Sequence, residues 1–451
     1  MSKTFRDWSR DQALLLPPSV HDFVPAGHLS RFVVTLVTEE LDLSAFMASY
    51  KGEKGQPPYH PAMMVSVLLY AYAVGIYSSR KIAKACVERV DFMAIVALQA
   101  PDFHTVSEFR RRHLAALSAL FVQVLKLCAA AGLVQLGHVA LDGTKIKANA
   151  SKHKAMSYAY MKDREIELQA EVDSWLKTAE AADAAEDKAY GADRRGDEMP
   201  EWVANKEARL AKIRQAKAEL EAEAKATAVA EKAARDQAVG NDENDKPPRG
   251  RKPASPSATP DPKAQRNFTD PESRILKTKD GYIQGYNAQA AVDAKAQIIV
   301  AHTLTNNGSD QGQLAPLLDG IKANLGRNPD EASADAGYCS TANLRTLIRR
   351  RIKGYIATGR QKHGTTSATA KRPGKPGSLL ARMSERLRRA GHRSRYRLRK
   401  QVVEPVFGQI KEAGGFRQFL LRGIEKVKAE WSMICTAHNI RKLALAAARV
   451  S

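Results

Sequence analysis

The sequence predicts a mixed α/β protein with three parts: an all-α N-terminal domain, an α/β core of mixed sheet flanked by helices, and a charged helical insertion after the first core strand. Three observations predict it. Apolar residues recur at helical spacing up to about residue 135, short β-type runs alternate with amphipathic helices from Gly137 to about Ala357, and residues 155 to 238 are rich in Ala, Glu, Lys and Asp with almost no β-branched or aromatic content. At 451 residues the chain exceeds what one core usually organises, so two or three domains are expected.

The N-terminal domain, residues 1–135, shows its helical spacing in Phe32-Val33-Val34-Thr35-Leu36-Val37, in Ala62 to Tyr77 and in Leu114 to Leu133. Ser79-Arg80-Lys81-Ile82-Ala83-Lys84-Ala85 opens one helix. Thr105-Val106-Ser107-Glu108 has capping-box spacing and opens another that bears Arg110, Arg111, Arg112 and His113. Two readings of this pair are open: a helix-turn-helix that places Arg80, Arg110 and Arg111 on DNA, or an ordinary bundle with a basic solvated face. The apolar run Ala62 to Tyr77 is shorter than the roughly 20 residues a bilayer helix needs, and it reads as a core helix. Charges at Lys3, Arg6, Asp7, Arg10 and Asp11 do not fit a secretory signal, so a cytoplasmic, nucleoid-associated protein with no membrane segment is expected. The four cysteines (Cys86, Cys128, Cys339, Cys435) lack metal-binding spacing and read as buried thiols.

The core begins within residues 136–152, where His138-Val139-Ala140-Leu141-Asp142 leads into Gly143-Thr144-Lys145-Ile146-Lys147, a strand with Asp142 near its middle. Residues 153–238 then predict long charged helices, possibly an antiparallel hairpin, and 239–266, rich in Pro, Asp, Lys and Ser, a disordered linker. The remainder of the core occupies 267–451. A hairpin of Gly281 to Asp293 and Gln297 to His302 comes first, followed by a helix at Gln311 to Leu325 and a strand from Glu331 to Ala334 that ends at Asp335. A helix at Ser340 to Arg350 and a strand at Ile352 to Ala357 follow. After a polar loop at His363 to Gly377, a long basic helix from about Leu379 contains Glu404 and ends near Gly414-Gly415, and a final helix runs from about Ile424 to Val450.

Charge is concentrated at one end. Residues 341–451 hold 27 Lys+Arg against 5 Asp+Glu, so the other 340 residues balance at 44 of each, and the whole net charge of +22 lies in the last quarter. That distribution suits a polyanion held along one region better than charge spread for solubility, although a solvated basic tail has the same composition.

Three acids stand out. Asp142 lies inside an apolar strand, where a charge is costly unless paired or cation-bound, although Asp-Gly also marks turns. Asp335 in Ala334-Asp335-Ala336-Gly337-Tyr338 sits at the carboxyl edge of a strand, where α/β sheets place functional groups and where helix caps also occur. Glu404 in Val402-Val403-Glu404-Pro405-Val406-Phe407-Gly408-Gln409-Ile410-Lys411 is an acid amid apolar neighbours on a basic helix, and an ion pair with Arg399 or Lys400 is its alternative role. Pro405 predicts a kink or a fresh first turn there. Acids converging from separate elements are what two-metal phosphodiester chemistry requires, since Mg²⁺ prefers oxygen ligands and takes few from protein.

In combination, Ala140-Leu141-Asp142-Gly143-Thr144-Lys145, Gly285-Tyr286-Asn287-Ala288-Gln289, Asp335-Ala336-Gly337-Tyr338 and the segment from Val403 to Lys411 resemble the DDE transposases of bacterial insertion sequences. The resemblance covers about three quarters of the chain. It implies an RNase H-like catalytic core with the first Asp on the first strand, the second at the end of the fourth, and the Glu on a later helix. One subgroup carries a Tyr, Arg, Glu, Lys signature, and Tyr396, Arg399, Glu404 and Lys411 are similar to it, with one residue more than usual between Arg399 and Glu404, so Lys400 is the other candidate for the basic position.

The resemblance thus implies a DNA transposase that cuts at insertion-sequence ends and joins them to target DNA. Asp142, Asp335 and Glu404 would be the catalytic metal ligands for two Mg²⁺ ions, with Mn²⁺ as a substitute, and Tyr396, Arg399 and Lys411 would position DNA. Terminal inverted repeats and target DNA are the implied double-stranded partners, bound by a homodimer or higher oligomer. The alternatives are an RNase H-like nuclease without strand transfer and a transposase-derived DNA-binding regulator.

Overall fold

The computed structural model describes residues 19–50, 57–190, 201–240, 258–359, 375–390 and 395–449. The stretch 1–18, most of the expected linker (241–257) and most of the expected polar loop (360–374) lie outside them.

Among the described residues seven α-helices precede the sheet: α1 (Leu29–Thr35), α2 (Ser44–Met47), α3 (Pro61–Ala73), α4 (Ser79–Glu88), α5 (Val90–Val96), α6 (Phe103–Arg112) and α7 (Leu114–Ala130). Pro61 at the first turn of α3 and His60 Nδ1, accepting from Ala62 N–H at 3.2 Å, start that helix. Apolar residues surround α3 on all sides, and it is buried throughout from Met64 to Ala73. Asp102, not Thr105, caps α6: its carboxylate accepts from Thr105 N–H at 2.6 Å, which places Thr105 inside the helix. Because α5 intervenes, α4 and α6 are not consecutive helices, and the two-helix reading of that pair is corrected accordingly.

The sheet starts with β1 (His138–Lys147). The insertion then contributes β2 (Ala155–Ser157), α8 (Tyr158–Tyr190), α9 (Glu201–Gly240) and β3 (Gln265–Asn267), and the sheet continues with β4 (Arg274–Thr278), β5 (Gly281–Asp293) and β6 (Ile299–Thr305). After these come α10 (Leu314–Leu325), β7 (Glu331–Ala334), α11 (Thr341–Arg349), β8 (Lys353–Ile356), α12 (Leu379–Ala390), α13 (Leu398–Gly408) and α14 (Ile424–Ala447). Strand order is β4-β5-β1-β7-β8, with β6 on the same edge of β5 as β4. The pairs β1–β5, β4–β5 and β5–β6 are antiparallel, and β1–β7 and β7–β8 are parallel. A mixed sheet with helices packed on it is therefore present, and β1 lies in its middle.

Tyr158 bonds Glu221, Glu165 pairs with Arg214 and Lys217, and Glu171 pairs with Lys206, so α8 and α9 run antiparallel. Between them Met161, Leu168, Leu210, Ile213 and Leu220 make a small separate core. Part of the expected linker is ordered: residues 258–266 lead into β3, which pairs with β2, and Arg266 holds Glu219 and Glu223 of α9 at 2.5 and 2.9 Å. Strands β2, β3 and β4 are too short to show a period and were not foreseen. The expected long basic helix is two helices, α12 and α13, with 391–394 outside the described residues.

The N-terminal helices share one continuous apolar core with the sheet. It runs from Val33 and Leu68 through Leu120 and Val139 to Val403 and Trp431, because α14 packs on α3, α7 and β6 together. No single helix among the described residues is long and apolar enough to cross a membrane; α6 and α7 reach that length and composition only as a pair bent by 74°.

Candidate active site

Strand register brings the two aspartates together. In the parallel pair β1–β7, Ala140 stands opposite Ser333, and two residues further along each chain stand Asp142 and Asp335. The backbone is still extended at Asp335 (φ −76°, ψ −178°), whose Oδ1 then accepts from Gly337 N–H at 2.8 Å and caps a short 3-10 turn, Ala336–Tyr338. Asp142 has Ala290 of β5 on its other side.

Helix α13 packs on β1, β5 and β7 through Val402, Val403, Val406 and Phe407. Pro405 lies inside this helix and does not restart it. The N–H that Pro405 lacks would have gone to the Gln401 carbonyl, and Gln297 Nε2 donates there instead at 3.0 Å. The helix therefore stays continuous through Glu404.

One guanidinium nitrogen of Arg399 donates to Asp142 Oδ2 at 2.6 Å, and a second stands 3.1 Å from Glu404 Oε1. Tyr396 lies against the same guanidinium. Arg399 Nε is buried without a hydrogen-bond partner among the described residues. Lys400 is exposed, so Arg399 is the basic residue that faces the acids. Burial, reinforced by the charges of Asp335 and Glu404, raises the Asp142 carboxyl to about 7 against the pull of Arg399. Burial also raises Asp335, opposed by Arg399 and reinforced by Asp310. Lys411 Nζ donates to the Lys145 carbonyl of β1 at 2.9 Å, and burial lowers its pKa.

Sequence reasoning missed a cluster of polar residues beside Asp335. Asp310 Oδ1 accepts from Asn287 Nδ2 at 2.8 Å and from Gln289 Nε2 at 2.7 Å. Gln289 Oε1 accepts from the Tyr338 hydroxyl, and the Gln289 carbonyl accepts from Trp431 Nε1 at 3.1 Å. The legible signal was in β5: Asn287 and Gln289 are polar residues two apart on one face of the strand, and both are buried.

Carboxylate oxygens from several elements suit a hard divalent cation. In this conformation no three His, Cys, Asp or Glu side chains among the described residues are gathered closely enough to hold an ion. The Arg399 guanidinium stands between Asp142 and Glu404, supplying the positive charge there. Mg²⁺ keeps several waters and takes one or two protein carboxylates together with substrate phosphate, a demand that Asp142 and Asp335 meet. A cradle beside them fits as well: a Cβ on Gly337 would lie 3.0 Å from Asp335 Oδ1 and 3.1 Å from Asp310 Oδ2.

The residues expected on DNA divide. Arg80 is exposed, with its guanidinium 5.0 Å from the Phe103 ring centroid, and Arg111 is exposed and paired with Glu108. Arg110 is corrected: it is buried and donates to the Tyr72 hydroxyl, the Tyr77 carbonyl and Ser79 Oγ at 3.0–3.1 Å, so it holds α6 against α3 and α4.

Comparison with known families adds two matches. Residues 18–112 match the transposase domain model DUF772, and residues 255–440 match the transposase DDE domain model. Asp335 and Glu404 fall inside the second match, while Asp142 and the α8–α9 insertion fall between the two. No curated protein and no solved structure matches the chain. A match to a transposase domain followed by a match to a transposase DDE domain supports a DDE transposase.

Proposed function

We propose that this protein is the transposase of a bacterial insertion sequence, of the Tyr-Arg-Glu-Lys type, with an RNase H-like core. The observation that carries the reading is the meeting of Asp142 and Glu404 on one guanidinium, with Asp335 beside Asp142, although 262 residues separate the outer two in sequence. Counting β1, β5, β6, β7 and β8 as the core strands, Asp142 is on the first, Asp335 ends the fourth and Glu404 is on a later helix. That placement supports the RNase H-like assignment.

Water attacks a phosphodiester at each end of the element and displaces a 3′-oxygen, which leaves as a hydroxyl. That 3′-hydroxyl then attacks a phosphodiester of target DNA and displaces a target 3′-oxygen by the same in-line geometry. Divalent cations, when bound, would supply an activated nucleophile, charge neutralisation at phosphorus and help for the departing oxygen. Asp142, Asp335 and Glu404 would hold them, with two Mg²⁺ as the ions expected and Mn²⁺ as a substitute. Tyr396, Arg399 and Lys411 align the DNA backbone, with Arg399 leaving its acid partners as DNA and cations enter.

The N-terminal helices read the terminal inverted repeats through exposed residues such as Arg80 and Arg111, while the basic last quarter follows the phosphates. A homodimer or larger assembly in the nucleoid holds two ends together. The test is Asp142→Asn, which should bind end DNA normally and lose Mg²⁺-dependent cutting; cutting at the wild-type rate would overturn the reading. Transfer of labelled ends into a plasmid separates it from a nuclease that only degrades, and nicking of any kind separates it from a regulator that only binds.

A further inference from the structure

Asp310 has no role in the site described so far, yet its carboxylate is among the most constrained near it. It closes the polar loop between β6 and α10, and two side-chain amides from β5 converge on one of its oxygens, Oδ1. Asn287 and Gln289 stand opposite Lys145 and Gly143 of β1, so these amides hold the carboxylate against the strand that carries Asp142. Among the described residues, no donor reaches the other oxygen, Oδ2, and no cation pairs with Asp310.

Two glycines explain why the carboxylate fits there. A Cβ on Gly143, directly after Asp142, would collide with Gln289 Nε2 and lie 2.7 Å from Asp310 Oδ1. A Cβ on Gly337, two residues after Asp335, would be squeezed between Asp335 Oδ1 and Asp310 Oδ2. Neither glycine has a positive φ, so their smallness serves close approach and not an unusual turn. The unbonded oxygen of Asp310 and an oxygen of Asp335 thus flank one atom-sized space.

We propose that Asp310 is a fourth carboxylate of the cation site, contributing Oδ2 next to Asp335. This rests on the metal-dependent reading above. Asn287 and Gln289 act as positioning residues: by saturating Oδ1 they leave Oδ2 as the oxygen free to meet a cation. Arg399 bonds Asp142 and Glu404 directly, whereas Asp310 has no ion pair among the described residues, so a hard divalent ion beside Asp335 and Asp310 would gain from a carboxylate that no protein cation neutralises.

The experiment titrates the full-length protein with Mn²⁺ alone, without DNA, and reads bound ion by electron paramagnetic resonance. Asp310→Asn keeps an acceptor for Asn287 and Gln289 and should weaken Mn²⁺ binding about tenfold or more with an unchanged thermal midpoint. Gly337→Ala leaves every acid in place, fills the space between Asp335 and Asp310, and should weaken binding comparably. If both variants bind Mn²⁺ as the wild type does while Asp335→Asn binds weakly, Asp310 is no ligand and only this inference falls. If Asp142→Asn and Asp335→Asn also bind as the wild type does, or the wild type binds none, the metal-dependent reading falls with it.

Discussion

Arg399 donates to Asp142 at 2.6 Å and so ties α13 to the central strand β1 across 257 residues of sequence. The same guanidinium reaches Glu404, which makes it the common partner of two acids on separate elements. Removing a cation from such a half-buried group leaves carboxylates facing each other with less compensation. Arg399→Ala is expected to lower stability by about 2–3 kcal/mol, with part of the loss recovered by millimolar Mg²⁺. Arg399→Lys should not restore it, because one ammonium cannot span both acids. Thermal unfolding with and without Mg²⁺ measures this, and an unchanged midpoint in Arg399→Ala would show that the bridge does not hold α13 in place.

Gln297 is a second tie to α13. It sits in the β5–β6 turn at φ +59°, a left-handed conformation that a non-glycine residue adopts at a cost. Its amide fills the carbonyl left open by Pro405, its own carbonyl accepts from His438 Nε2 at 2.9 Å, and Lys442 donates to its Oε1 at 2.8 Å. Gln297→Ala should cost about 1–2 kcal/mol in denaturant unfolding, more than its position in an exposed turn would suggest.

His438 makes folding acid-sensitive. Burial lowers its pKa from 6.5 to about 4, so the folded protein holds it neutral while the unfolded chain protonates it near 6.5. The stability it contributes is fully present above pH 6.5 and is lost as pH falls towards 4, at no more than about 1.4 kcal/mol per pH unit. Unfolding midpoints measured from pH 7 to pH 4 should fall more steeply for the wild type than for His438→Gln. Parallel slopes would mean that another group controls the loss.

Arg80 and Arg110 should separate surface from core. If the N-terminal helices bind DNA, Arg80→Ala should lower the log–log salt slope by about 0.9 for one lost phosphate contact, with stability unchanged. Arg110→Ala should instead destabilise the fold by about 2–3 kcal/mol, since Tyr72 and Ser79 lose a buried partner, and leave the slope as it was. The reverse pattern would assign the DNA contact to the wrong arginine.

The sequence carried a large part of this site but not all of it. Asp142 and Asp335 were legible because a charge in an apolar strand, or at its end, is conspicuous, and Glu404 because it is an acid amid apolar residues. The same signal is not specific. Asp270, Asp293 and Glu430 are more deeply buried acids than any of the three, and each is engaged by protein donors: Asp270 by the Tyr286 hydroxyl, Asp293 by Leu136 N–H, and Glu430 by Leu420 and Leu421 N–H. Nothing local marks Asp310, because the amides that hold it lie in a strand more than twenty residues earlier.

By itself the sequence determined the strand and helix periods, the placement of the basic charge and the acids at their ends, because those are properties of neighbouring residues and of covalent order. Only the tertiary structure decided that Arg110 belongs to the core, that Arg399 rather than Lys400 meets the acids, that the N-terminal helices share the sheet's core and that Asp310 lies beside Asp335. These depend on strand register and on which helix faces are buried, and no local pattern encodes a distance between segments that meet only after folding.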